Sequence, residues 1–594
     1  MNKNKILSIL GTHFNFPGSQ KIIKTIGSFS ITEKFAFYTF ATLLCLSALL
    51  LTFFMSRNYM VTIPTHGGTL REGIISAPAH FINPIFTITE ADRDLSALIY
   101  SGLLKPDPKG GLTTDLAASY SVSTDGKTYT FILKDNLTFH DGTPLTTDDI
   151  EFTIHKIQDS AVKSPRRANW DKVIVNIVSE KEIQFTTPEK LPYAPFLTNL
   201  TLGILPKHIW KDVSIDAFPL SSYNISPIGS GPYMIKSIAR EKDVPTSYTL
   251  KPFAKYVHDT AHISTLEIYF YQNEEDAVSA YKNGDIDSLG GISPAKAEEL
   301  KKYNGNINVT PLPRIFGVFF NQNKSPVLAN KEVRQAFEVS LDREKIVQDV
   351  LLGYGESADG PIPPGLIDID IAETSASTTD RIADAKKILA DAGWKVDTTD
   401  GLMKKTVNKK QIALQLDITT PDIPDLKKVA GIIKETWEKV GAKVNVTVYE
   451  IGNLQQDIIT PRKYDALLFG EVVGRDLDLY AFWHSSQRNS PGLNVAMYVN
   501  LAADKLLEQA RQTSDSEELI AIYKKFEKEI AKDNPAVFIY SPDFIYIMPK
   551  KIQGSNIGKI TLPSERFASI SDWFIQTDTV WKIFADKEKI IGQK

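Results

Sequence analysis

The chain has 594 residues, of which 42% are hydrophobic and 23% are charged. This length is too great for one hydrophobic core, so we expect several domains or one large domain with insertions. The formal net charge is −4 and no long basic run occurs, which gives no indication of nucleic-acid binding. The short basic pair Arg166-Arg167 is interpreted as a solvated loop. The single cysteine, Cys45, excludes an intrachain disulfide and a cysteine-based metal site.

The N-terminal region contains an apolar run without a charge, FAFYTFATLLCLSALLLTFFM, at residues 35–55. About 20 residues span the hydrocarbon core as a helix, so this run is long enough. Five lysines precede it and only Arg57 closely follows, which predicts a cytoplasmic N-terminus and an extracytoplasmic remainder. A cleaved signal peptide is the alternative. We favour an uncleaved anchor, because no A-x-A site follows and Leu44 precedes Cys45 where a lipoprotein signal needs a small residue.

The predicted elements after the anchor begin with a short tether at 56–66 and a strand near Gly67. A helix follows in which Leu95, Leu98 and Ile99 recur at helical spacing, and it ends at Gly102. Strands and turns dominate the next hundred residues. In the second half helices alternate with strands. A helix is predicted over 381–394 and closed by Gly393, and 425–450 is predicted as a helix, a stop at Gly441 and a strand. This alternation indicates an α/β lobe with crossover connections.

Residues 139–157, FHDGTPLTTDDIEFTIHKI, place two histidines near four carboxylates and could form a metal or catalytic cluster. A structural interpretation explains the same residues. Residues 140–144 have turn chemistry, and Thr146 with Asp149 three positions later forms a capping-box pattern. Isoleucines recur at i, i+4 and i+7 and give the helix a buried face. We favour this interpretation, which removes the best catalytic candidate.

Other catalytic signatures are missing from the sequence. It has no nucleophile elbow, zinc-protease motif, phosphate loop or dinucleotide motif. The stretch Gly229-Ser230-Gly231-Pro232-Tyr233 resembles a nucleophile or phosphate loop, but its spacing is wrong for both, and a turn entering a strand is predicted. We therefore expect no enzyme activity, no cofactor and no metal site. Nine histidines and one cysteine do not favour direct metal ligation.

Several segments occur in an order that is specific when taken together. They are GGTLREGI, ADRDLSALIYSGLL, LTTDLAASYSVSTDGKTYTFILKDNLTFHDGTPLTTDDIEFTI, GSGPYMIKS, FFNQNKSPVLANKEVRQAFEVSLDREKIV and ADAKKILADAGW. Over about residues 67–575 the chain resembles the solute-binding proteins of ABC importers in the oligopeptide/dipeptide/nickel family, extracellular solute-binding protein family 5. Each motif alone is weak, but their order over this length is a strong signal.

This resemblance implies an α/β fold, a two-lobed periplasmic-binding-protein type II clamp with an extra domain, preceded by one transmembrane helix. Ligand is held between the lobes, which are joined by two hinge crossings. The implied organisation is a cytoplasmic segment 1–34, an anchor 35–55, a tether 56–66, lobe I from 67–105, 221–311 and 536–594, an extra domain 106–220 and lobe II 312–535.

The resemblance also implies ligand-binding residues in lobe II. In peptide-binding members an aspartate after a strand pairs with the amino group of the peptide. Asp476 is the best positional match and Asp478 the alternative. Arg475 either neutralises that carboxylate or faces a ligand carboxylate, and Tyr480 and Trp483 line a side-chain pocket or belong to the core. The Gly-Trp pair common before the ligand aspartate is missing from 470–487.

Lobe I and the hinge supply further candidates. The loop 87–92 occupies the cleft-facing position of the family, which makes Glu90 and Asp92 candidates, although acids at a helix N-terminus have the same pattern. Arg314 and Phe316 lie on the strand entering lobe II, near the hinge.

The function that the resemblance implies is capture of oligopeptides by lobe closure and delivery to the permease subunits of an ABC importer. The expected state is a monomer on the extracytoplasmic side of the cell membrane. One alternative keeps the fold but binds another small solute, such as a nickel or haem complex or an oligosaccharide. The other is an interaction scaffold without a transport role, because a fold does not dictate a function.

Overall fold

The computed structural model describes residues 24–188, 193–303, 305–367, 380–407, 409–475, 477–513 and 515–583. The chain divides into two compact units, residues 1–65 with 576–594 and residues 66–575.

The smaller unit contains the apolar helix, Ile31–Tyr59, followed by strand Met60–Thr65. Its segment Ile31–Met55 is long and apolar enough to cross a membrane, and none of its most apolar stretch is buried. Strand Met60–Thr65 pairs antiparallel with Gln576–Trp581. The expected tether is therefore largely a strand, because β-branched residues such as Val61 and Ile63 favour extended backbone and find a partner far along the chain. This partner strand lies in a segment that we had assigned to lobe I.

The larger unit is built on a sheet of twelve strands that mixes parallel and antiparallel neighbours. Helices alternate with the strands of lobe II, as predicted. Ten strands follow one another in the order Lys443–Tyr449, Gln415–Pro421, Ala466–Val472, Arg314–Phe320, Ala536–Pro549, Ser288–Gly290, Thr69–Ile75, Thr265–Tyr271, Val244–Pro252 and Tyr233–Glu241, and Gly305–Pro311 and Gly355–Ser357 also pair with Ala536–Pro549.

Strand Ala536–Pro549 belongs to both halves of this sheet. Its first residues pair with Arg314–Phe320, and its last residues pair with Ser288–Gly290 and Gly305–Pro311. Residues 536–540 are thus paired with a strand that we assign to lobe II, whereas the predicted lobe boundary is at 535/536. We had placed that boundary at the start of a strand that in fact continues through it.

The remaining strands of the larger unit form smaller sheets. The extra domain contains a four-stranded sheet and a short hairpin, and lobe II carries a three-stranded sheet. Their strands are Ala117–Val122, Thr128–Leu133, Glu182–Thr186 and Ile174–Ser179, then Leu104–Pro106 with Leu112–Thr114, and finally Lys395–Val396, Met403–Val407 and Lys410–Ala413.

The longer helices pack their apolar faces onto these sheets. In lobe I and the extra domain they are Glu90–Ile99, Thr147–Gln158, Tyr193–Asn199, Glu274–Asn283 and Pro294–Leu300. In lobe II they are Lys331–Ser340, Arg343–Leu351, Arg381–Asp391, Pro424–Val440, Leu501–Ala510 and Ser516–Asp533. Four-residue helices occur at Arg167–Trp170, Lys207–Trp210 and Tyr480–Trp483.

The histidine- and aspartate-rich stretch has the predicted structural role. Helix Thr147–Gln158 begins with a capping box formed by Thr146 and Asp149, and its isoleucines at 150, 154 and 157 are buried. The carboxylate of Asp149 also accepts the backbone N–H of Lys207 at 2.9 Å. Among the described residues no group of three or more His, Cys, Asp or Glu side chains could hold a metal ion.

The GSGPY stretch is also confirmed as a turn that enters a strand, Tyr233–Glu241. Its glycines are required because the backbone of Ile99 lies against them. A Cβ atom on Gly229 would lie 2.1 Å from the Ile99 carbonyl oxygen, and the N–H of Gly231 donates to that oxygen at 2.8 Å. The turn therefore fixes the C-terminal end of helix Glu90–Ile99.

Lobe I has a buried ion cluster in its core. Arg566 donates to Asp94 at 2.6 and 3.0 Å and to Glu72 at 3.0 and 3.3 Å. The arginine side chain is 2% exposed and both carboxylates are fully buried. Burial alone would lower the pKa of Arg566, but the charges of Asp94 and Glu72 outweigh it and raise the pKa. Tyr546 and Ser288 also donate to Glu72.

Candidate functional site

A cavity of about 310 Å³ lies among lobe I, the extra domain and lobe II. Helix Glu90–Ile99 and residues near 561–568 come from lobe I, the extra domain contributes residues near 166–170 and 198–203, and Arg475 reaches the cavity from lobe II. Ligand sites in proteins have volumes of about 300–1,000 Å³ and often lie where domains meet. This cavity is therefore the candidate site.

One face of helix Glu90–Ile99 and its C-cap forms a wall of the cavity. Arg93, Ser96, Ala97 and Tyr100 follow the spacing i, i+3, i+4, i+7 and line it. The buried residues of the helix are four apolar side chains and two aspartates, and they face the lobe I core. The hydroxyl of Tyr100 is buried and has no hydrogen-bond partner in the described ranges, and burial raises its pKa.

Arg475 connects lobe II to the other two parts of the cavity wall. Its guanidinium forms an ion pair with Glu565 at 2.6 Å and donates to the carbonyl oxygens of Gly110 and Gly111 at 2.6 and 2.9 Å. Both side chains of the pair are largely buried, with 8% and 15% exposed. Burial raises the pKa of Glu565, and the charge of Arg475 offsets part of that rise. Arg475 therefore contacts both other parts of the protein beside the cavity.

Arg475→Ala should favour an open arrangement of the lobes. The change removes a buried charge-assisted pair, and hydrogen bonds to charged groups contribute about 1.5–3 kcal/mol. We expect a larger radius of gyration in small-angle X-ray scattering and about tenfold weaker ligand binding. Arg511→Ala is the matched control, because Arg511 pairs with Asp478 inside lobe II. An equal effect of both changes would exclude the bridging role.

The position of Arg166 differs from our expectation. It was interpreted as part of a solvated loop, but it lines the cavity and is partly buried. Its Nε donates to the Pro84 carbonyl oxygen at 2.9 Å and its Nη2 to the Thr87 hydroxyl at 2.8 Å. Burial lowers its pKa, and the charge of Arg93 adds to the effect. Its neighbour Arg167 is exposed, as expected.

The acids of the cavity wall are already engaged. Asp115 is 5% exposed and lies 2.9 Å from His258 Nε2, and Glu565 is paired with Arg475. Tyr256 also lines the cavity, and burial raises its pKa well above the usual value, with a further contribution from the charge of Asp115.

Of the other ligand-binding candidates predicted in lobe II, none that the structure describes is found at the cavity wall. Asp476 lies outside the described residues, so its amine-binding role stays a prediction. Asp478 accepts from Arg511 at 2.5 and 3.0 Å, and Tyr480 stacks on His484 with 4.0 Å between ring centroids. Trp483 is fully buried in the lobe II core. None of Asp478, Tyr480 and Trp483 lines the cavity.

Two of the candidates predicted in lobe I and at the hinge, Asp92 and Phe316, contact other residues of the chain. Asp92 serves the chain itself, because its carboxylate accepts the backbone N–H groups of His80, Phe81 and Thr89 at 3.0, 2.9 and 3.1 Å. Phe316 stacks on Tyr540 with 5.2 Å between ring centroids.

Glu90 and Arg314 interact electrostatically across the two lobes. Burial raises the pKa of Glu90, and nearby Asp94 raises it further, while Arg314 is among the cations that lower it. The Nε of Arg314 is buried without a hydrogen-bond partner in the part of the chain that the structure describes.

Arg93, Tyr100 and Arg166 are cavity residues that we did not predict. The helical spacing of Arg93 and Tyr100 was a usable signal, since it marks the face opposite the buried leucines. Arg166 had no such signal, because its burial depends on contacts with residues about 80 positions away.

Comparison with known proteins assigns the fold to a class. Residues 111–492 match the family described as bacterial extracellular solute-binding proteins, family 5 Middle. The oligopeptide-binding protein AppA of Bacillus subtilis (strain 168) is 29% identical over 522 residues, which cover 86% of this chain and 92% of that protein.

Solved structures agree with this class. The structure of AppA from Bacillus subtilis in complex with a nonapeptide has a TM-score of 0.68 at 28% identity, and covers 86% of this chain and all (100%) of that chain. NikZ from Campylobacter jejuni in complex with Ni(L-His) has a TM-score of 0.67 at 26% identity, and covers 85% of this chain and 99% of that chain.

The mixed α/β architecture and the cavity define a periplasmic-binding-protein type of solute receptor. The chain belongs to the bacterial extracellular solute-binding proteins of family 5, which serve ABC importers. Members of this family bind substrates for transport and are not enzymes.

Proposed function

We propose that this protein captures oligopeptides between its two lobes and delivers them to the permease of an ABC importer. The observation that carries the proposal is the cavity, to which both lobes contribute and at which Arg475 of lobe II pairs with Glu565 of lobe I. The peptide assignment is supported by the AppA protein of Bacillus subtilis, whose structure contains a nonapeptide.

Binding would use the peptide backbone for affinity and the cavity for side chains. An extended peptide adds main-chain hydrogen bonds at strand edges, and water-filled pockets accept varied side chains. Micromolar affinity, about −8 kcal/mol, allows both capture and release. Asp476 is proposed to receive the peptide amine, and Glu90 and Arg314 would then lie at the hinge end of the ligand. A charge-assisted pair of this kind is stronger than a neutral hydrogen bond.

The ligand itself tests this proposal. Full-length protein extracted in mild detergent would be analysed by native mass spectrometry, then denatured, and the released molecules sequenced. A ladder of peptides is the expected result. A single non-peptide mass would favour another solute. A nickel complex is the specific candidate, because the similar protein NikZ was solved in complex with Ni(L-His). An empty protein that also ignores a peptide library in thermal-shift measurements would overturn the transport role.

We further propose that the helix Ile31–Tyr59 is a retained membrane anchor, with the folded part on the extracytoplasmic side. Protein from the membrane fraction should then retain the helix, so its mass should include residues 31–59. The double change Leu46→Arg/Leu49→Arg should release it from the membrane, because each arginine at a helix centre costs about 2.5–3.5 kcal/mol on insertion. A mass that lacks the N-terminal segment would instead establish a cleaved signal.

A further inference from the structure

We propose that the cavity selects peptides by a carboxylate, which Arg93 and Arg166 bind. This inference rests on the proposed function and deepens it by naming the substrate class. The carboxylate has two possible sources, an acidic side chain or the C-terminus of the peptide, and both present the same chemistry to the arginines.

The cavity wall has more cationic than acidic side chains. Four cationic side chains line it, Arg93, Lys105, Arg166 and Arg475, whereas its acids in the described ranges are Asp115 and Glu565. Both acids are occupied, Asp115 by His258 and Glu565 by Arg475. The wall therefore has two more cationic than acidic side chains.

Neither of the two central arginines has a salt bridge within the described residues. Arg166 is held only by neutral acceptors, a carbonyl oxygen and a hydroxyl, so its position is fixed while its charge is not compensated. Arg93 is influenced by Glu90 and Asp94 through longer-range electrostatics, but Asp94 is already bound to Arg566. Burial lowers the pKa of Arg166, and the nearby charge of Arg93 lowers it further.

The surroundings make a carboxylate the matching ligand group. A partly buried cation without an anion is unfavourable, and a carboxylate that enters the cavity offsets that cost. Guanidinium groups bind carboxylates through paired, short hydrogen bonds. The buried hydroxyl of Tyr100 has no partner in the described part of the chain, and it adds a donor to the same wall.

Competition between peptide pools tests the proposal. Full-length protein in detergent receives two pentapeptide pools at equal concentration, one with a glutamate at each position in turn and one with glutamine there. The same pools with amidated C-termini are used in parallel, and retained peptides are quantified by mass spectrometry. The variants are Arg93→Gln and Arg166→Gln, and Arg167→Gln is the matched control because it is the exposed neighbour of Arg166.

We expect at least tenfold enrichment of glutamate over glutamine if a side chain supplies the carboxylate. A tenfold loss of peptide retention on amidation, without a preference for glutamate, would assign the carboxylate to the C-terminus of the peptide. Arg93→Gln and Arg166→Gln should reduce either preference to less than twofold, and Arg167→Gln should preserve it. Circular dichroism monitors the folding of each variant. If Arg166→Gln unfolds the protein, the peptide preference of Arg93→Gln decides whether the proposal holds.

Two results would overturn the proposal while leaving peptide binding intact. One is equal retention of all four pools by the unchanged protein, and the other is a preference that survives both Arg93→Gln and Arg166→Gln. If no peptide is retained at all, the proposed function itself fails and this inference falls with it.

Discussion

Arg566→Met should lower the free energy of unfolding by about 3–5 kcal/mol, the usual cost of removing one partner from a buried ion cluster. The change leaves two carboxylates, Glu72 and Asp94, buried without their cation. Burial already raises the pKa of both acids, and the charge of Arg566 is the largest effect that opposes this rise. Chemical denaturation of the purified chain, followed by tryptophan fluorescence, measures the loss.

Arg71→Met is the control for this prediction. Arg71 also pairs with a carboxylate in lobe I, Asp287 at 3.1 Å, but its side chain is 35% exposed. Exposed pairs contribute about 0–1 kcal/mol, because water already solvates both charges. If both changes cost the same, burial of the Arg566 cluster would not be the source of its stability contribution.

Glu471→Gln should stabilise the protein at pH 8 and have little effect at pH 4. Glu471 lies in strand Ala466–Val472, is 4% exposed, and neither carboxyl oxygen accepts a well-formed hydrogen bond from a described residue. Burial raises its pKa well above the usual value, and the indole of Trp483 offsets only part of the rise. The folded state therefore favours the protonated acid, which glutamine imitates at every pH.

The sign of the pH dependence follows from that raised pKa. The contribution of protonated Glu471 to stability is fully present below its unfolded pKa of about 4.3 and is lost as the pH rises through the folded pKa. Each pH unit between the two values corresponds to about 1.4 kcal/mol. We therefore expect the variant to be more stable by at least about 1.4 kcal/mol at pH 8 in denaturation experiments.

An exposed glutamate provides the comparison. Glu435→Gln, on the solvent face of helix Pro424–Val440, should show no such pH-dependent difference. A constant offset between Glu471→Gln and the unchanged protein from pH 4 to pH 8 would mean that folding does not raise the pKa of Glu471.

Local sequence signals predicted the elements of lobe II closely. The helix expected at 381–394 is observed as Arg381–Asp391, and Gly393 after it adopts a φ of +88°. The helix that continues to Gly441 is observed as Pro424–Val440, with that glycine in the left-handed region at φ +107°. Apolar periodicity and glycine stop signals are properties of short segments, so one sequence is enough to detect them.

The features that we missed depend on residues distant in the chain. Strand Met60–Thr65 finds its partner about 500 residues later, and the burial of Arg166 is imposed by Pro84 and Thr87. The same limit applies to the candidate site. Family resemblance directed attention to the loop after Ala466–Val472, where Arg475 does line the cavity, but it could not distinguish that side chain from Asp478 and Trp483, which pack within lobe II.

The strand Ala536–Pro549, which both halves of the large sheet share, affects when the protein can fold during synthesis. The hydrogen bond from Tyr546 to Glu72 closes a separation of 474 residues, and that from Arg566 to Glu72 closes 494. Until this strand emerges, Arg314–Phe320 and Ser288–Gly290 each lack a neighbour and expose a sheet edge that invites aggregation. Neither lobe is thus an independent folding module, and a chain truncated before residue 536 should fail to accumulate.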